Sequence, residues 1–141
     1  MSEHRAGPAR ARALKRLHGG FNLAGGLWPL LSMRSFEAVL GPKTDRWLVR
    51  TVAGLLIVSG ATQLSAPPDA RGLALARRLG MGTAGVLASI DAVYGIPGRI
   101  SRMYLVDGVA QTALIVSWLL AGPLEDGRRP GVARTRARRR R

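Results

Sequence analysis

The amino-acid sequence predicts an all-α fold, a four-transmembrane-helix antiparallel bundle with disordered basic termini. Three observations predict it: four runs of 17 to 20 residues are almost free of charge, the connections between them are short and contain turn residues, and basic residues collect at the two ends. A helix needs about 20 mostly apolar residues to cross the hydrocarbon core of a bilayer. Each run therefore approaches the length of one crossing.

The two ends of the chain are its most basic and least complex parts. Of 141 residues, 22 are Lys or Arg and 8 are Asp or Glu, which gives a formal net charge of +14. The end segments "SEHRAGPARAR" and "EDGRRPGVARTRARRRR" have too few large apolar residues to join a packed core. We predict a disordered basic segment at 1–13, a four-helix transmembrane domain at 14–124 and a disordered Arg-rich tail at 125–141.

The four predicted spans cover about 17–33, 48–67, 79–97 and 103–123. The stretches "TVAGLLIVSGATQLSA" (51–66) and "GVAQTALIVSWLLAG" (108–122) have no charged stripe of the kind that a soluble bundle helix carries. The turn-forming pairs between spans are Gly41-Pro42, Pro67-Pro68 and Pro97-Gly98. Because the connections are short, sequential helices are expected to be antiparallel neighbours.

The distribution of basic residues predicts the orientation. Four crossings place both termini and the middle connection on one side, and that side carries 16 basic residues against 6 on the other. The positive-inside rule then places both termini in the cytoplasm of a multi-pass protein.

Two aspartates stand inside otherwise apolar stretches. Asp91 lies six residues before Pro97, and Asp107 lies four residues after Met103. At the helical rise these positions are ~9 and ~6 Å from the same membrane surface, on adjacent antiparallel helices. Two buried carboxylates repel each other, so a cation is expected nearby, and Arg50 is the best placed.

These positions define a candidate polar cluster within the membrane. Tyr94 shares a helix face with Asp91, and Gln111 shares one with Asp107. The candidate cluster comprises Asp91, Asp107, Arg50, Tyr94 and Gln111. An intramembrane ionisable residue is a functional hypothesis, and the alternative is an Arg–Asp clamp that ties helices together. His18 and Asn22, on one face of the first span, are secondary candidates.

Soluble-enzyme chemistry finds no support in the sequence. Cysteine is absent, only two histidines occur, and no phosphate loop, nucleotide fingerprint or nucleophile elbow is present. No catalytic residue, cofactor-binding residue or metal ligand is predicted, and no cofactor is expected. The sequence favours a protein that is not an enzyme.

The segment "GLWPLLSMRSFEAVLGPKTDRWLVRTVAGLL" (26–56) resembles a family of small uncharacterised bacterial integral membrane proteins. These proteins carry a similar "MRSFEAV-GPKTD-WLV" signature between their first two spans, and their four-helix architecture is distantly similar to the DoxX-like group. The resemblance implies a bacterial inner-membrane location. The family has no assigned activity, so it assigns no catalytic residue.

The sequence thus leaves three classes of function. The favoured one is an accessory or interaction subunit of the bacterial inner membrane. The second is a small carrier or membrane-embedded enzyme that uses an outer-leaflet Asp/Arg pocket. The third, a basic nucleic-acid-binding protein, is disfavoured because an Arg-rich tail beside a span is explained by topology and headgroup attraction. We expect as partners membrane lipids, with anionic headgroups at the Arg-rich termini, and a protein partner or homo-oligomer; no nucleic acid is expected.

Overall fold

A computed structural model describes residues 3–124, with side chains from residue 7 onward. This part of the chain is all-α, with five helices and no strands, which confirms the all-α part of the prediction; the four-span bundle stays a prediction. The helices are α1 Glu3–Leu31, α2 Met33–Leu40, α3 Arg46–Ser65, α4 Ala70–Gly95 and α5 Met103–Leu120. The predicted disorder of the tail at 125–141 falls outside the described residues.

The short helix α2 was not predicted, since it occupies the first expected connection. Ser32 precedes it, and the Ser32 hydroxyl accepts a hydrogen bond from the Ser35 backbone N–H at 3.3 Å, which caps its N-terminus. Gly41 follows it with φ +83, a left-handed conformation that favours glycine and ends the helix. These two signals lie in "SMRSFEAVLG", which the sequence prediction treats as part of the connection between the first two spans.

Two helix starts differ from the sequence prediction. α1 begins at Glu3, so residues 3–13 are helical rather than disordered, and Ala11 from this region is buried in the core. α4 begins at Ala70, well before the predicted span start at 79, because the Asp69 side chain caps it by accepting from Gly72 N–H at 2.7 Å. The predicted spans begin where the charged residues end. The helices themselves begin earlier in the chain, because Ala, Leu and Arg are good helix formers.

The long helices form two closely packed pairs. α1 packs mainly against α3, and α4 packs mainly against α5, with further contacts from α4 to α1 and α3. The α1–α3 pair approaches closely through small residues: a Cβ atom added at Gly60 would lie 2.6 Å from the Gly19 carbonyl oxygen, and one at Gly26 would lie 2.5 Å from the Ala53 carbonyl oxygen. Small residues facing each other in this way are typical of helix pairs in membranes.

One end of the bundle, the terminal end, is where α1 and α4 begin and α3 and α5 end. Its apolar core consists of Ala11, Leu14, Leu73, Trp118 and Ala121. Here the buried Lys15 ammonium donates hydrogen bonds to the carbonyl oxygens of Leu64 at 3.2 Å and Ala66 at 2.6 Å. Lys15 therefore satisfies carbonyl groups at the end of α3 and places a positive charge at the negative end of its dipole.

The distribution of polar and apolar residues reverses that of a water-soluble domain. The buried polar or charged residues are Lys15, His18, Asn22, Ser59, Gln63, Asp91 and Gln111. Large apolar side chains along the helices are exposed instead, among them Leu55, Val58, Val86, Val93 and Val109. By length and composition, α3 and α5 are able to cross a membrane. Membrane association is thereby supported, and the number of crossings stays a prediction.

Candidate functional site

Two clusters of buried polar side chains lie inside the bundle, one in each half. The neutral cluster, nearer the terminal end, consists of His18, Asn22, Gln63 and Trp118. The acidic cluster, nearer the opposite end, consists of Asp91, Asp107 and Gln111.

The neutral cluster joins all four long helices by hydrogen bonds. The Trp118 indole N–H donates to His18 Nδ1 at 3.1 Å, which connects α5 to α1. Asn22 Nδ2 donates to Gln63 Oε1 at 2.8 Å, and Gln63 Nε2 donates to the Ala76 carbonyl at 3.2 Å, which connects α1 through α3 to α4. All four side chains are at most 1% exposed.

Gly80 makes room for the neutral cluster on α4. A Cβ atom added at Gly80 would lie 2.8 Å from His18 Nδ1 and 2.9 Å from His18 Cε1, inside normal van der Waals contact. The imidazole and the Gln63 amide therefore pack directly on the α4 backbone. The sequence indicated His18 and Asn22, but it indicated neither Gln63 nor the contact between His18 and Trp118; a polar side chain in an apolar run was the available signal for Gln63.

The acidic cluster brings together three of the five predicted site residues. Asp91 on α4 is 3% exposed, and the neighbouring Asp107 on α5 is close enough for direct electrostatic interaction with it. Gln111, one turn after Asp107, directs Nε2 toward both carboxylate oxygens of Asp107 at 3.4 Å. Gly108 permits the close approach, since a Cβ atom there would lie 3.2 Å from Asp91 Cβ.

The structure does not place the other two predicted site residues in this cluster. Arg50 is exposed, and within residues 7–124 no basic side chain forms an ion pair with Asp91 or Asp107. Arg50 belongs to α3, which packs mainly against α1, whereas the aspartates belong to the α4–α5 pair. Tyr94 is 40% exposed and forms no hydrogen bond with either carboxyl in this part of the chain.

A different cation approaches the acidic cluster from the connection between α2 and α3. The Lys43 ammonium lies 4.7 Å from the centroid of the Tyr104 ring, a cation–π contact, and donates to the Leu40 carbonyl at 2.8 Å. Tyr104 lies close enough to both aspartates for electrostatic interaction with their carboxyl groups. Lys43 and Tyr104 therefore stand at the mouth of the cluster. Helical spacing places Tyr104 on the same face of α5 as Asp107, whereas no sequence pattern indicated Lys43.

An ion pair fixes the connection that carries Lys43. Arg46 donates to Glu37 through Nε at 2.9 Å and through a terminal nitrogen at 2.7 Å, and the Lys43 backbone N–H donates to the same carboxylate at 3.2 Å. The hydrogen bond from Arg46 lowers the pKa of Glu37, and burial lowers the pKa of the Lys43 ammonium. The Glu37 carboxylate is thus held in its charged form at the end of α2.

Asp91 also lines a groove between α4 and α5. The groove has a volume of about 210 Å³ and is lined by Ala88, Asp91, Ala92, Leu105, Gly108, Val109 and Thr112. It opens sideways, because Ala92 near the end of α4 and Val109 and Thr112 on α5 are exposed. Asp91 Oδ2 is buried and has no hydrogen-bond partner among the described residues. A carboxyl with unused acceptor capacity therefore lies at the base of a small-residue groove.

Comparison of the chain with protein-family models, with curated proteins and with solved structures gives no match. The resemblance of residues 26–56 to small bacterial membrane proteins stays a prediction.

Proposed function

We propose that this chain is an integral membrane protein of the bacterial inner membrane whose helices α1, α3, α4 and α5 cross the bilayer. The observation that carries the proposal is the reversed distribution of polarity: histidine, asparagine, glutamine and aspartate side chains are buried, and valine and leucine side chains in the middle of the helices are exposed. Lipid is the solvent in which that arrangement is stable, because it accepts apolar surface and offers polar groups no partner.

The lengths of α1 and α4 fit such a crossing. α4 has 26 residues and α1 has 29, or ~39 and ~44 Å at the helical rise, against a hydrocarbon core of ~30 Å. The excess length lies at the terminal end, where Arg12, Arg16, Arg71 and Arg78 are exposed. Their charges then reach the headgroup region on the side predicted to be cytoplasmic.

Alkaline carbonate extraction tests the membrane assignment. The full chain should stay in the membrane pellet and enter solution only with detergent. Reporter fusions after residue 141 and within 69–77 should act as cytoplasmic, and insertions near Lys43 and Gly98 should act as external. Release by carbonate would contradict integration, and an external C-terminus would contradict the orientation.

Within the membrane, the geometry favours the role of an interaction subunit. The α4–α5 groove opens toward the lipid, its walls are mostly small or aliphatic, and Asp91 offers an unused acceptor at its base. These features suit a partner transmembrane helix that presents a hydrogen-bond-donating side chain, since small residues allow close approach and a polar contact stabilises the pair.

A photo-crosslinking amino acid at Val109, on the groove rim, tests this role against the same probe at Val58 on α3. The two positions are similarly exposed, 70% and 63%. The interaction role predicts a crosslinked partner from Val109 that is depleted by Asp91→Asn and absent from Val58. Equal crosslinking at both positions, or a product insensitive to Asp91→Asn, would contradict it.

One observation favours a second candidate, a small proton or solute carrier. Asp91 and Asp107 lie side by side without a basic partner among the described residues, and such carboxyls can exchange protons in membrane proteins. Purified protein in liposomes with an internal pH dye should then conduct protons under an imposed potential. Asp91→Asn should abolish that flux, and a flux equal to that of empty liposomes would exclude proton conduction.

A further inference from the structure

A second groove lies at the terminal end of the bundle, away from both polar clusters. It has a volume of about 400 Å³ and is lined by Ala74, Arg77, Arg78, Met81 and Leu124. It therefore runs along α4 beside the segment that follows α5. Its volume lies within the range of small-ligand sites in proteins.

The groove combines two basic and three apolar lining residues. Arg77 and Met81 are one helical turn apart and share a face of α4, with Met81 deeper in the bundle. Met81 and Leu124 also pack against the apolar core. A ligand in the groove thus contacts guanidinium groups and apolar side chains side by side.

The arginines keep donor capacity for a ligand. Arg77 donates one hydrogen bond, to the Gly122 carbonyl at 2.9 Å, which holds the turn after α5 beside α4. Arg78 is exposed and makes no hydrogen bond or ion pair with another described residue. A guanidinium has five N–H donors in a planar fork that matches a phosphate, so most donors of this pair are available.

We propose that this groove binds the phosphate of an anionic phospholipid, with the start of an acyl chain against Met81 and Leu124. The inference rests on the proposed membrane location, which would place Arg77 and Arg78 at the headgroup level of the basic side. Basic pockets between transmembrane helices on the cytoplasmic side suit anionic headgroups. The adjoining apolar wall favours a lipid over free phosphate, because only a lipid would bury apolar surface there.

Lipid titration of the full chain, purified in a neutral detergent and followed by native mass spectrometry, tests the proposal. The probes are phosphatidylglycerol, phosphatidylcholine and inorganic phosphate, and the variants are Arg78→Gln, Arg77→Gln/Arg78→Gln and the charge-matched control Arg10→Gln/Arg12→Gln. Arg10 and Arg12 are exposed on α1 and do not line the groove. Phosphatidylglycerol should bind the unmodified chain in preference to phosphatidylcholine, and inorganic phosphate should not compete at equal concentration.

The expected losses of phosphatidylglycerol affinity are about fivefold for Arg78→Gln and about 30-fold for the double variant. Each basic residue near an anionic surface is expected to contribute about fivefold in affinity. The control should lose less than twofold. Arg78→Gln keeps the Arg77–Gly122 hydrogen bond, so it tests the site even if the double variant unfolds. Equal losses in groove and control variants, or full competition by inorganic phosphate, would overturn the lipid site. Those outcomes leave the carbonate-extraction result untouched, whereas release by carbonate would remove the membrane location itself.

Discussion

The neutral and acidic clusters are both buried, yet they are built differently, and neither has every polar atom paired. Among the described residues, His18 Nε2 and Asn22 Oδ1 lack a hydrogen-bond partner in the first, as do Asp91 Oδ2 and Gln111 Oε1 in the second. The neutral cluster makes three hydrogen bonds that link α1, α3, α4 and α5. The acidic cluster has an unpartnered Asp91 Oδ2, no ion pair among the described residues and a groove beside it. We infer that burial of polar groups serves two ends in this molecule: the neutral cluster links the four long helices, whereas the acidic cluster places a carboxyl beside a groove.

The largest expected effect comes from disturbing the neutral cluster sterically. Gly80→Ala should lower the free energy of unfolding in detergent by about 1–3 kcal/mol, because the new methyl group collides with His18 and overpacked cores lose this much. Gly82→Ala is the matched control, since no atom lies within 4 Å of a Cβ there. If both variants unfold at the same temperature, the close packing on α4 is wrong.

Removing hydrogen bonds from the neutral cluster should have the next largest effect. Gln63→Leu removes the bonds to Asn22 and to the Ala76 carbonyl, and it should cost about 1–2 kcal/mol, since interhelical hydrogen bonds in membranes average about 0.6 and reach about 1.7 kcal/mol. Asn22→Leu combined with Gln63→Leu should cost less than the sum of the two single changes. Strict additivity, measured by thermal unfolding, would mean that the two side chains are not coupled.

The acidic cluster should respond in the opposite direction. Asp91→Asn should leave the free energy of unfolding unchanged or raise it by up to about 1 kcal/mol, because a buried acid without a basic partner gains nothing from its charge. A clamp with Arg50 would instead make this variant unstable. Arg50→Gln should be neutral, since Arg50 is exposed. If Asp91→Asn lowered the free energy of unfolding by more than about 1 kcal/mol, Asp91 would have a basic partner. The two clusters would then not respond in opposite directions.

The smallest effect concerns the connection that brings Lys43 to the mouth of the acidic cluster. The pKa of Glu37 is lowered from its ordinary value of 4.5 by the Arg46 hydrogen bond, so its contribution to stability is present above that value and is lost as pH falls through the lowered one. Unfolding temperatures of the unmodified chain should therefore decline more steeply below about pH 4.5 than those of Glu37→Gln. If the two chains showed parallel profiles of unfolding temperature against pH, the Glu37–Arg46 ion pair would contribute nothing to stability.

The all-α class and the C-terminal ends of the helices were predictable because they depend on local sequence. Apolar runs and turn residues placed the ends of α3, α4 and α5 within three residues of Ser65, Gly95 and Leu120. Asp91, Asp107 and Gln111 were recognisable as acids and an amide inside such runs. Their partners were not, because contacts between helices depend on rotation and pairing: Arg50 lies on the other helix pair, and Lys43 arrives through a connection whose path depends on Glu37 and Arg46.

The proposed membrane location requires that lipid cover the exposed apolar faces of the bundle, and nitroxide accessibility measures that cover at single sites. The chain has no cysteine, so Val58→Cys and Val86→Cys report single sites that are 63% and 65% exposed in the middle of α3 and α4. In liposomes, both labels should be relaxed strongly by molecular oxygen and weakly by a water-soluble nickel chelate, whereas a label at Thr44→Cys, exposed in a connection, should show the reverse. Equal access of the nickel chelate to all three sites would contradict the account.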